Sequence, residues 1–130
     1  MDTLNAQQIF SINVAKLILK IKELNYSITL GEAYRTAEQQ KIYLMQGKSK
    51  TMFSKHCERL AIDLNIMDSQ NIVISHEKMK QVAEYWESLN VNNVAGWSWG
   101  WDDNHFEMKH TPRPYTDVII GVKESVSATK

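Results

Sequence analysis

The sequence predicts one domain of the α+β class, in which a small, mainly antiparallel sheet packs against helices. Two amphipathic helical patterns and several short strand-like segments favour this class. The helices are expected over residues 5–25 and 75–89, and the strands over residues 27–34, 60–66 and 105–108. At 130 residues the chain has the length of a single compact domain, so we expect one domain over residues 1–130.

The first predicted helix has the apolar period of a helix that buries one face. Apolar side chains recur at steps of three and four residues, at Phe10, Val14, Leu17, Ile18, Ile21 and Leu24. Residues 27–34 lack this period and have strand-like content, so a short strand should follow. The second long helix has Ser75 as its N-cap and presents one apolar face for packing.

A shorter helix is predicted from Thr36 to about Gln46. Thr36 and Gln39 fit a capping box, in which the hydroxyl accepts a hydrogen bond from a free amide of the first turn. Gly47 then suits the position that ends a helix. Arg35 therefore lies at a strand-to-helix junction, from which its guanidinium can bind a carboxylate or a polarised carbonyl oxygen.

The predicted strand over residues 60–66 is apolar except for Asp63 and Asn65. Because a buried carboxylate is unfavourable unless it is paired or bound to a metal, Asp63 is a candidate ligand. His56 lies seven residues earlier, next to a polar loop, and this spacing does not fit adjacent turns of one helix. A loop histidine and a strand aspartate that meet at one ion are the expected geometry.

Three tryptophans, Trp97, Trp99 and Trp101, alternate along residues 94–101, which is the period of a strand showing one face. The rings fit either a wall of a substrate groove or core packing, and we expect one ring to serve each purpose. Residues 115–122, near the C-terminus, also have strand-like content.

The charge balance argues against binding to nucleic acid or to an anionic membrane. Fifteen basic side chains balance fifteen acidic ones. No apolar run approaches the ~20 residues that span a bilayer, and the first residues do not have the pattern of a secretory signal. We therefore expect a monomeric protein made in a cytoplasm, without membrane insertion. Cys57 is the only cysteine, so no intramolecular disulfide forms.

His56, Asp63 and His105 would give zinc (Zn2+) three protein ligands and leave one position open for water. That is the pattern of a catalytic rather than a structural zinc site, although other divalent ions also accept such ligands. Asp102 precedes His105 by three residues, where a general base could reach the water. Asp103 is the rival base.

Three sequence blocks also carry a resemblance to a known family. They are Tyr34-Arg35-Thr36 ahead of a Gln-containing helix, Ser54-Lys55-His56 with Asp63, and Asp102 with His105-Phe106-Glu107. In this order they resemble zinc peptidases of the D-Ala-D-Ala carboxypeptidase and L-alanyl-D-glutamate endopeptidase type, a group that includes many phage endolysins. The resemblance covers about residues 31–108 and implies the fold shared by these peptidases and hedgehog domains.

The resemblance also implies roles for individual residues. It makes Asp102 the general base rather than Asp103, and it makes Arg35 the side chain that faces the substrate. The weaker candidates for substrate binding are Ser54, Gln40 and Trp99. Glu107 could orient an imidazole, whereas we expect Cys57 to be a small buried hydrophobe and the spare imidazoles of His76 and His110 to be solvated.

The leading expectation is an L-alanyl-D-glutamate endopeptidase that cuts peptidoglycan stem peptides as a phage endolysin. Such an enzyme would need release through a separate, holin-like pore, and no separate wall-binding domain is expected. The alternatives are a D-Ala-D-Ala carboxypeptidase or dipeptidase, and a non-catalytic, zinc-stabilised binding module of the hedgehog type. Two departures from the family bear on loop geometry and specificity: Trp99 to Asp102 is short, and Glu58-Arg59-Leu60 stands where a glycine often precedes the apolar pair.

Overall fold

Four strands form one antiparallel sheet in the computed structural model, which describes residues 2–110. The order of strands across the sheet is β1-β2-β4-β3. The elements are α1 (Thr3–Glu23), β1 (Ser27–Leu30), α2 (Ala37–Met45), β2 (Ala61–Met67), α3 (His76–Ser88), β3 (Asn93–Ala95), a short 3-10 helix (Gly96–Trp99) and β4 (His105–Met108). The predicted α+β class is confirmed, and the strand-like residues 115–122 lie outside the described residues.

Side-chain caps fix where the helices begin. The Thr36 hydroxyl accepts a hydrogen bond from the Gln39 amide at 3.1 Å, and the Ser75 hydroxyl accepts one from the Lys78 amide at 3.2 Å. Each bond satisfies an amide that has no partner within its helix. Gly47 follows the C-cap residue Gln46 with φ +74°, so the predicted limits of this helix are confirmed.

The hydrophobic core lies between α1, α3 and the sheet, with Trp86 at its centre. The Trp86 ring packs edge-on against Phe10 at 5.5 Å and Phe106 at 5.9 Å between ring centroids. Its indole N–H donates to the backbone oxygens of Val94 and Glu107, at 3.2 and 3.1 Å. One buried ring therefore ties α3 to both β3 and β4, and so fixes the strand that begins at His105.

The prediction of a strand through the three tryptophans is wrong. β3 ends at Ala95, and the next four residues form the 3-10 helix, which ends at Gly100 with φ +84°. A period of two over only three rings does not separate a strand from a tight turn, and the flanking glycines permit the turn. Trp97 packs against the core, whereas Trp99 and Trp101 face a groove.

The spare imidazoles are less free than predicted. His76 Nδ1 lies 2.8 Å from Asp103 Oδ1, and the His76 ring stacks on Trp97 at 4.7 Å. His110 is only partly exposed, and its Nε2 lies 3.0 Å from the Thr3 hydroxyl. Cys57 is buried, as expected of a small apolar side chain. Among the described residues, no helix is both long and apolar enough to cross a membrane.

Candidate metal centre and substrate groove

Two of the three predicted metal ligands face each other across the pairing of β2 and β4. Asp63 and His105 are direct partners in this antiparallel register. Side chains of directly paired residues project from the same face of a sheet, so the ladder itself brings carboxylate and imidazole together. The third ligand, His56, comes from the turn that precedes β2.

The three side chains converge at one point. Asp63 Oδ1 lies 3.1 Å from His105 Nδ1 and 3.4 Å from His56 Nε2. One donor atom from each residue lies within 4.8 Å of the other two. Two imidazole nitrogens and one carboxylate oxygen suit a zinc ion with an open position. The donor set that the sequence predicts therefore fits a divalent metal.

The rest of the protein fixes the orientation of the His56 ring. Its Nδ1 lies 2.9 Å from the Ala33 carbonyl oxygen, which can only accept, so Nδ1 carries the proton and Nε2 is left with a lone pair. The His56 backbone amide donates to the Ser54 hydroxyl at 3.2 Å, and its carbonyl accepts from the Arg35 amide at 3.2 Å. The ring is almost fully buried.

His105 is oriented in the opposite sense by Glu107. His105 Nε2 lies 2.8 Å from Glu107 Oε1, so the proton on Nε2 donates to this carboxylate and Nδ1 is turned toward Asp63. Such a carboxylate behind a histidine ligand fixes the tautomer and raises the basicity of the ring. Glu107 reaches the ring because alternate residues of β4 share one face.

The electrostatics of the cluster favour a bound cation. Burial alone would raise the pKa of Asp63, but hydrogen bonds from His105 and His56 outweigh it and lower the pKa to about 2. Burial alone would lower the pKa of His105, but its hydrogen bonds to Asp63 and Glu107 raise the pKa to about 9. An ionised carboxylate thus lies at the centre of the cluster at neutral pH.

Asp102 and Asp103 face different ways. Asp102 lines the groove, with Oδ2 3.9 Å from His105 Nδ1, and its burial raises the pKa of the carboxyl group. The Asp103 carboxylate bonds to His76, and Asp103 does not line the groove. Gly96 makes room for the loop, because a Cβ at residue 96 would lie 2.3 Å from the Asp102 carbonyl oxygen.

A groove of about 1130 Å³ runs past the cluster. Among the described residues, the lysines and the arginine that line the groove precede His56 in the chain, whereas both of its tryptophans follow His56. The basic residues are Arg35, Lys48, Lys50 and Lys55. The groove is large enough for a short peptide, since pockets for drug-sized ligands occupy roughly 300–1,000 Å³.

Arg35 lies in the groove at the centre of a polar network. Its guanidinium forms a close ion pair with Glu32 and donates to Gln40 Oε1 at 2.7 Å and to the Ser54 hydroxyl at 3.3 Å. It also lies over the Tyr43 ring at 4.8 Å. The sequence did not single out Glu32 or Tyr43, because residues 31–36 form neither helix nor strand and give no spacing rule for Glu32.

Gln40 does not reach the groove. Its side chain is fully buried, and its amide nitrogen donates to the Ser49 hydroxyl at 2.8 Å and to the Thr51 carbonyl oxygen. Both ends of the amide therefore have protein partners. This geometry makes Gln40 a positioning residue for Arg35 and the loop, in place of the direct contact with substrate that the sequence suggested. Ser54 and Trp99 do line the groove.

Two comparisons with known proteins agree with this fold and site. Residues 47–110 match the family described as D-alanyl-D-alanine carboxypeptidase. The crystal structure of the Serratia marcescens L-Ala D-Glu endopeptidase ChiX is similar, with a TM-score of 0.54 and 20% sequence identity. That likeness covers 63% of this chain and 66% of ChiX, just under two thirds of each. No curated protein sequence matches the chain.

The matched segment contains all three predicted ligands and Asp102. The match takes in 64 of the 130 residues, just under half of the chain, and it supports a peptidase of a family whose usual cofactor is zinc.

Proposed function

We propose that this protein is a peptidase that uses zinc to hydrolyse the stem peptides of bacterial peptidoglycan, at the bond between L-Ala and D-Glu. The observation that carries the proposal is the convergence of His56, Asp63 and His105, with Asp102 3.9 Å from His105, in a groove open to a peptide. The shared fold with an L-Ala D-Glu endopeptidase supports the choice of bond.

The metal would be held by His56 Nε2, Asp63 Oδ1 and His105 Nδ1. When bound, zinc supplies Lewis-acid activation of a water molecule and of the scissile carbonyl group. The protein supplies the orientation: the Ala33 carbonyl and the Glu107 carboxylate each bond to the imidazole nitrogen that faces away from the metal. Both of the other ring nitrogens, His56 Nε2 and His105 Nδ1, therefore point toward Asp63 before the ion binds.

Asp102 would act as the general base. Its carboxylate accepts a proton from the attacking water and then gives that proton to the nitrogen of the leaving amine. Burial raises its pKa and so makes the carboxylate a better proton acceptor than an exposed aspartate. Asp103, one residue away, bonds to His76 instead and is not aimed at the groove.

The basic part of the groove would bind the acidic part of the substrate. The D-Glu residue of a stem peptide carries a carboxylate next to the scissile bond, and a guanidinium suits a carboxylate in two-point contact. Arg35 is held by Glu32, Gln40 and Ser54, so its guanidinium loses little freedom on binding. Arg35 is therefore the residue that we assign to this contact.

A D-Ala-D-Ala carboxypeptidase or dipeptidase is the second candidate. The description of the matching family favours it, since that family is named for this activity. The same metal site and base would serve either bond, and only the binding of the flanking residues would differ. Release of free D-Ala from the substrate would identify this activity.

Digestion of purified peptidoglycan by the zinc-loaded protein tests the proposal. Mass spectrometry of the fragments should find new D-Glu amino termini, and a chelator should abolish them until zinc is restored. Release of free D-Ala without these termini would show that the protein acts as a D-Ala-D-Ala carboxypeptidase instead. Absence of cleavage across several wall types, with stoichiometric zinc bound, would favour a binding module and overturn the proposal.

A matched pair of variants tests the base. Asp102→Asn should lower kcat by about a hundredfold to ten-thousandfold, the usual contribution of general base catalysis, while zinc binding is retained. Asp103→Asn should keep most of the activity, because its carboxylate faces His76. Loss of zinc from Asp102→Asn would make Asp102 a ligand, and the reverse order of activities would make Asp103 the base.

The biological role that we propose is lysis of a bacterial host as a phage endolysin. Its support is the resemblance of the three motifs to a group that includes many such enzymes. Expression in a bacterial host should lyse the cells only when a pore-forming protein is expressed with it. Equal growth with and without the pore, despite activity on purified walls, would contradict this role.

A further inference from the structure

Two exposed tryptophan rings in the groove have no part in the mechanism described above. Trp101 is 77% exposed and Trp99 is 40% exposed. Their ring centroids lie 5.6 Å apart at an interplanar angle of 30°. Large apolar rings left together on an open surface are typical of a binding site, since their exposure to water is unfavourable.

Arg35 and the two tryptophan rings adjoin different histidines of the metal centre. The Arg35 backbone amide donates to the His56 carbonyl oxygen at 3.2 Å, and the His56 ring centroid lies 5.1 Å from that of His105. The Trp99 ring centroid lies 5.4 Å from that of His105, and the Trp101 centroid lies 5.6 Å from that of Trp99. In the groove, Arg35 thus adjoins His56, whereas two indole rings follow from His105.

This inference rests on the proposed function, in which the substrate is a stem peptide. Such a peptide has an anionic residue on one side of the scissile bond and a sugar close to the other side. On the carboxyl side of the scissile bond lies D-Glu, which is anionic. On the amino side lies a single L-Ala, which is attached through a lactyl group to an amino sugar of the glycan strand. One extended residue spans about 3.5 Å. The sugar would thus lie within one or two ring widths of the metal centre, where Trp99 and Trp101 lie.

A pyranose ring suits a half-exposed indole. One face of the sugar presents C–H groups to the aromatic surface, while its hydroxyl and acetamido groups stay in water. Aromatic side chains serve ligands of this kind because they give a large rigid contact area with two side-chain torsions to fix. Among the described residues, no lysine or arginine that lines the groove follows His56, so the two rings offer an acidic peptide segment no such partner.

We propose that Trp99 and Trp101 form a platform for the N-acetylmuramic acid residue that carries the stem peptide. The peptidase would then select glycan-linked stem peptides over free ones. The platform also sets the direction of the substrate, with the sugar on the His105 side and D-Glu on the Arg35 side.

Two synthetic substrates isolate the contribution of the sugar. One is the stem peptide with an N-acetylmuramoyl group on L-Ala, and the other is the same peptide with a simple N-acetyl group, so that neither has a charged amine. The zinc-loaded wild type should have a kcat/KM about tenfold higher on the first, as expected for one aromatic contact. Trp101→Ala should remove this preference, and Trp101→Phe should keep most of it.

Phe53→Ala provides the matched control. Phe53 is an exposed ring that lines the same groove, next to Ser54 on the Arg35 side. Its removal should leave the ratio between the two substrates unchanged. Equal loss on both substrates in Trp101→Ala would assign the ring to the peptide. An unchanged ratio in that variant, or a change in its oligomeric state, would also overturn the platform.

Binding measurements separate this proposal from the proposed function. If the wild type cuts neither substrate, the proposed function fails, but titration with N-acetylmuramoyl peptide still tests the platform. Binding should quench tryptophan fluorescence in the wild type and be about tenfold weaker in Trp101→Ala. Equal affinity for the muramoyl and acetyl peptides would overturn the platform whether or not either peptide is cut.

Discussion

The two walls of the groove obtain their geometry in different ways. On one wall, Asp63 and His105 face each other because β2 and β4 pair in register. On the other wall, residues 48–56 have no regular structure. There His56 is fixed by the Ala33 carbonyl, and the chain ahead of it by the Gln40 amide. A backbone ladder positions the first wall, and individual side chains position the second.

This difference predicts different consequences of substitution. A change on the strand wall should act on the metal, because the ladder carries two of its ligands. A change on the loop wall should act first on substrate binding, because Arg35 and the basic residues lie there. His56 is the exception, since it is a metal ligand that comes from the loop wall.

The largest effect should follow from Asp63→Asn on the strand wall. The substitution keeps the shape of the side chain but removes the only anionic ligand, so zinc affinity should fall at least a hundredfold and turnover should be lost. Glu107→Gln is the graded control, because it changes only the partner of His105 and should weaken zinc about 10- to 100-fold. Calorimetric titration with zinc measures both. Stoichiometric, tight zinc in Asp63→Asn would remove Asp63 from the ligand set.

Metal binding should release a proton from the strand wall. Hydrogen bonds to Asp63 and Glu107 raise the pKa of His105 to about 9. They stabilise the metal-free fold fully below a pH of about 6.5, the ordinary pKa of histidine, and this stabilisation is lost as the pH rises through 9. A metal ligand must be unprotonated, so zinc binding at pH 7 should release about one proton from His105. Affinity should rise as the pH approaches 9.

Calorimetry in two buffers of different ionisation enthalpy measures this release. The pKa of Asp63 is about 2, so this carboxylate has no proton to lose at neutral pH. Observed binding enthalpies that do not depend on the buffer would contradict the assignment of His105 as a ligand through Nδ1.

Substitutions of Gly96 and Gly100 test how closely the loop that carries Asp102 packs against His105. In Gly96→Ala, the new Cβ would lie 2.3 Å from the Asp102 carbonyl oxygen and 3.1 Å from His105 Cβ. The loop must move, and a displacement of about 1 Å should lower kcat/KM about a hundredfold. In Gly100→Ala the new Cβ would meet no atom within 4 Å, so most of the activity should remain. The φ of +84° is unfavourable for alanine and should lower the stability by about 1 kcal/mol. Similar kcat/KM values for the two variants would contradict the close packing.

The sequence predicted the strand wall well because its signals are local. Asp63 interrupts an apolar run, and a buried carboxylate needs a partner. The caps at Thr36 and Ser75 follow from side chains three residues from their partners, so the limits of two helices were also predictable. The period of α1 and α3 likewise required no knowledge of tertiary contacts.

The loop wall was harder to predict because its contacts join residues without a periodic relation. The bond from Gln40 to Thr51 and that from Arg35 to Ser54 span 11 and 19 residues of mostly irregular chain. The motif resemblance pointed to Arg35 and Gln40, but it did not distinguish a residue that faces the groove from one that holds its neighbour. The tryptophan turn was missed because two glycines, rather than the period of the rings, decide its conformation.

Removal of the Gln40 amide should affect the substrate more than the metal. Gln40→Leu keeps the volume but leaves Arg35 and the Thr51 carbonyl without this partner, so stability should fall by about 1–3 kcal/mol. KM should rise about tenfold because Arg35 and the loop lose their support, whereas zinc affinity should change less than threefold. Gln39→Leu, one residue earlier on α2, is the control. A loss of zinc equal to that in Asp63→Asn would contradict the division between the walls.

The smallest effect should come from Arg59, which stands where the peptidases with similar motifs often have a glycine. Arg59 has φ +58°, a conformation that is unfavourable for a side chain with a Cβ, and its guanidinium lies 4.0 Å from the centre of the Tyr34 ring. Arg59→Gly removes the unfavourable backbone conformation, which raises the stability. It also removes the contact with the Tyr34 ring and increases the entropy of the unfolded chain, which lower the stability, so the net change should be less than about 1 kcal/mol. Asn25→Gly, at φ +68° without such a ring, is the control for the backbone term. Denaturant unfolding measures both, and activity should be unchanged because Arg59 does not line the groove. A loss above about 2 kcal/mol in Arg59→Gly alone would mean that the contact with Tyr34, rather than the turn, holds His56 in place.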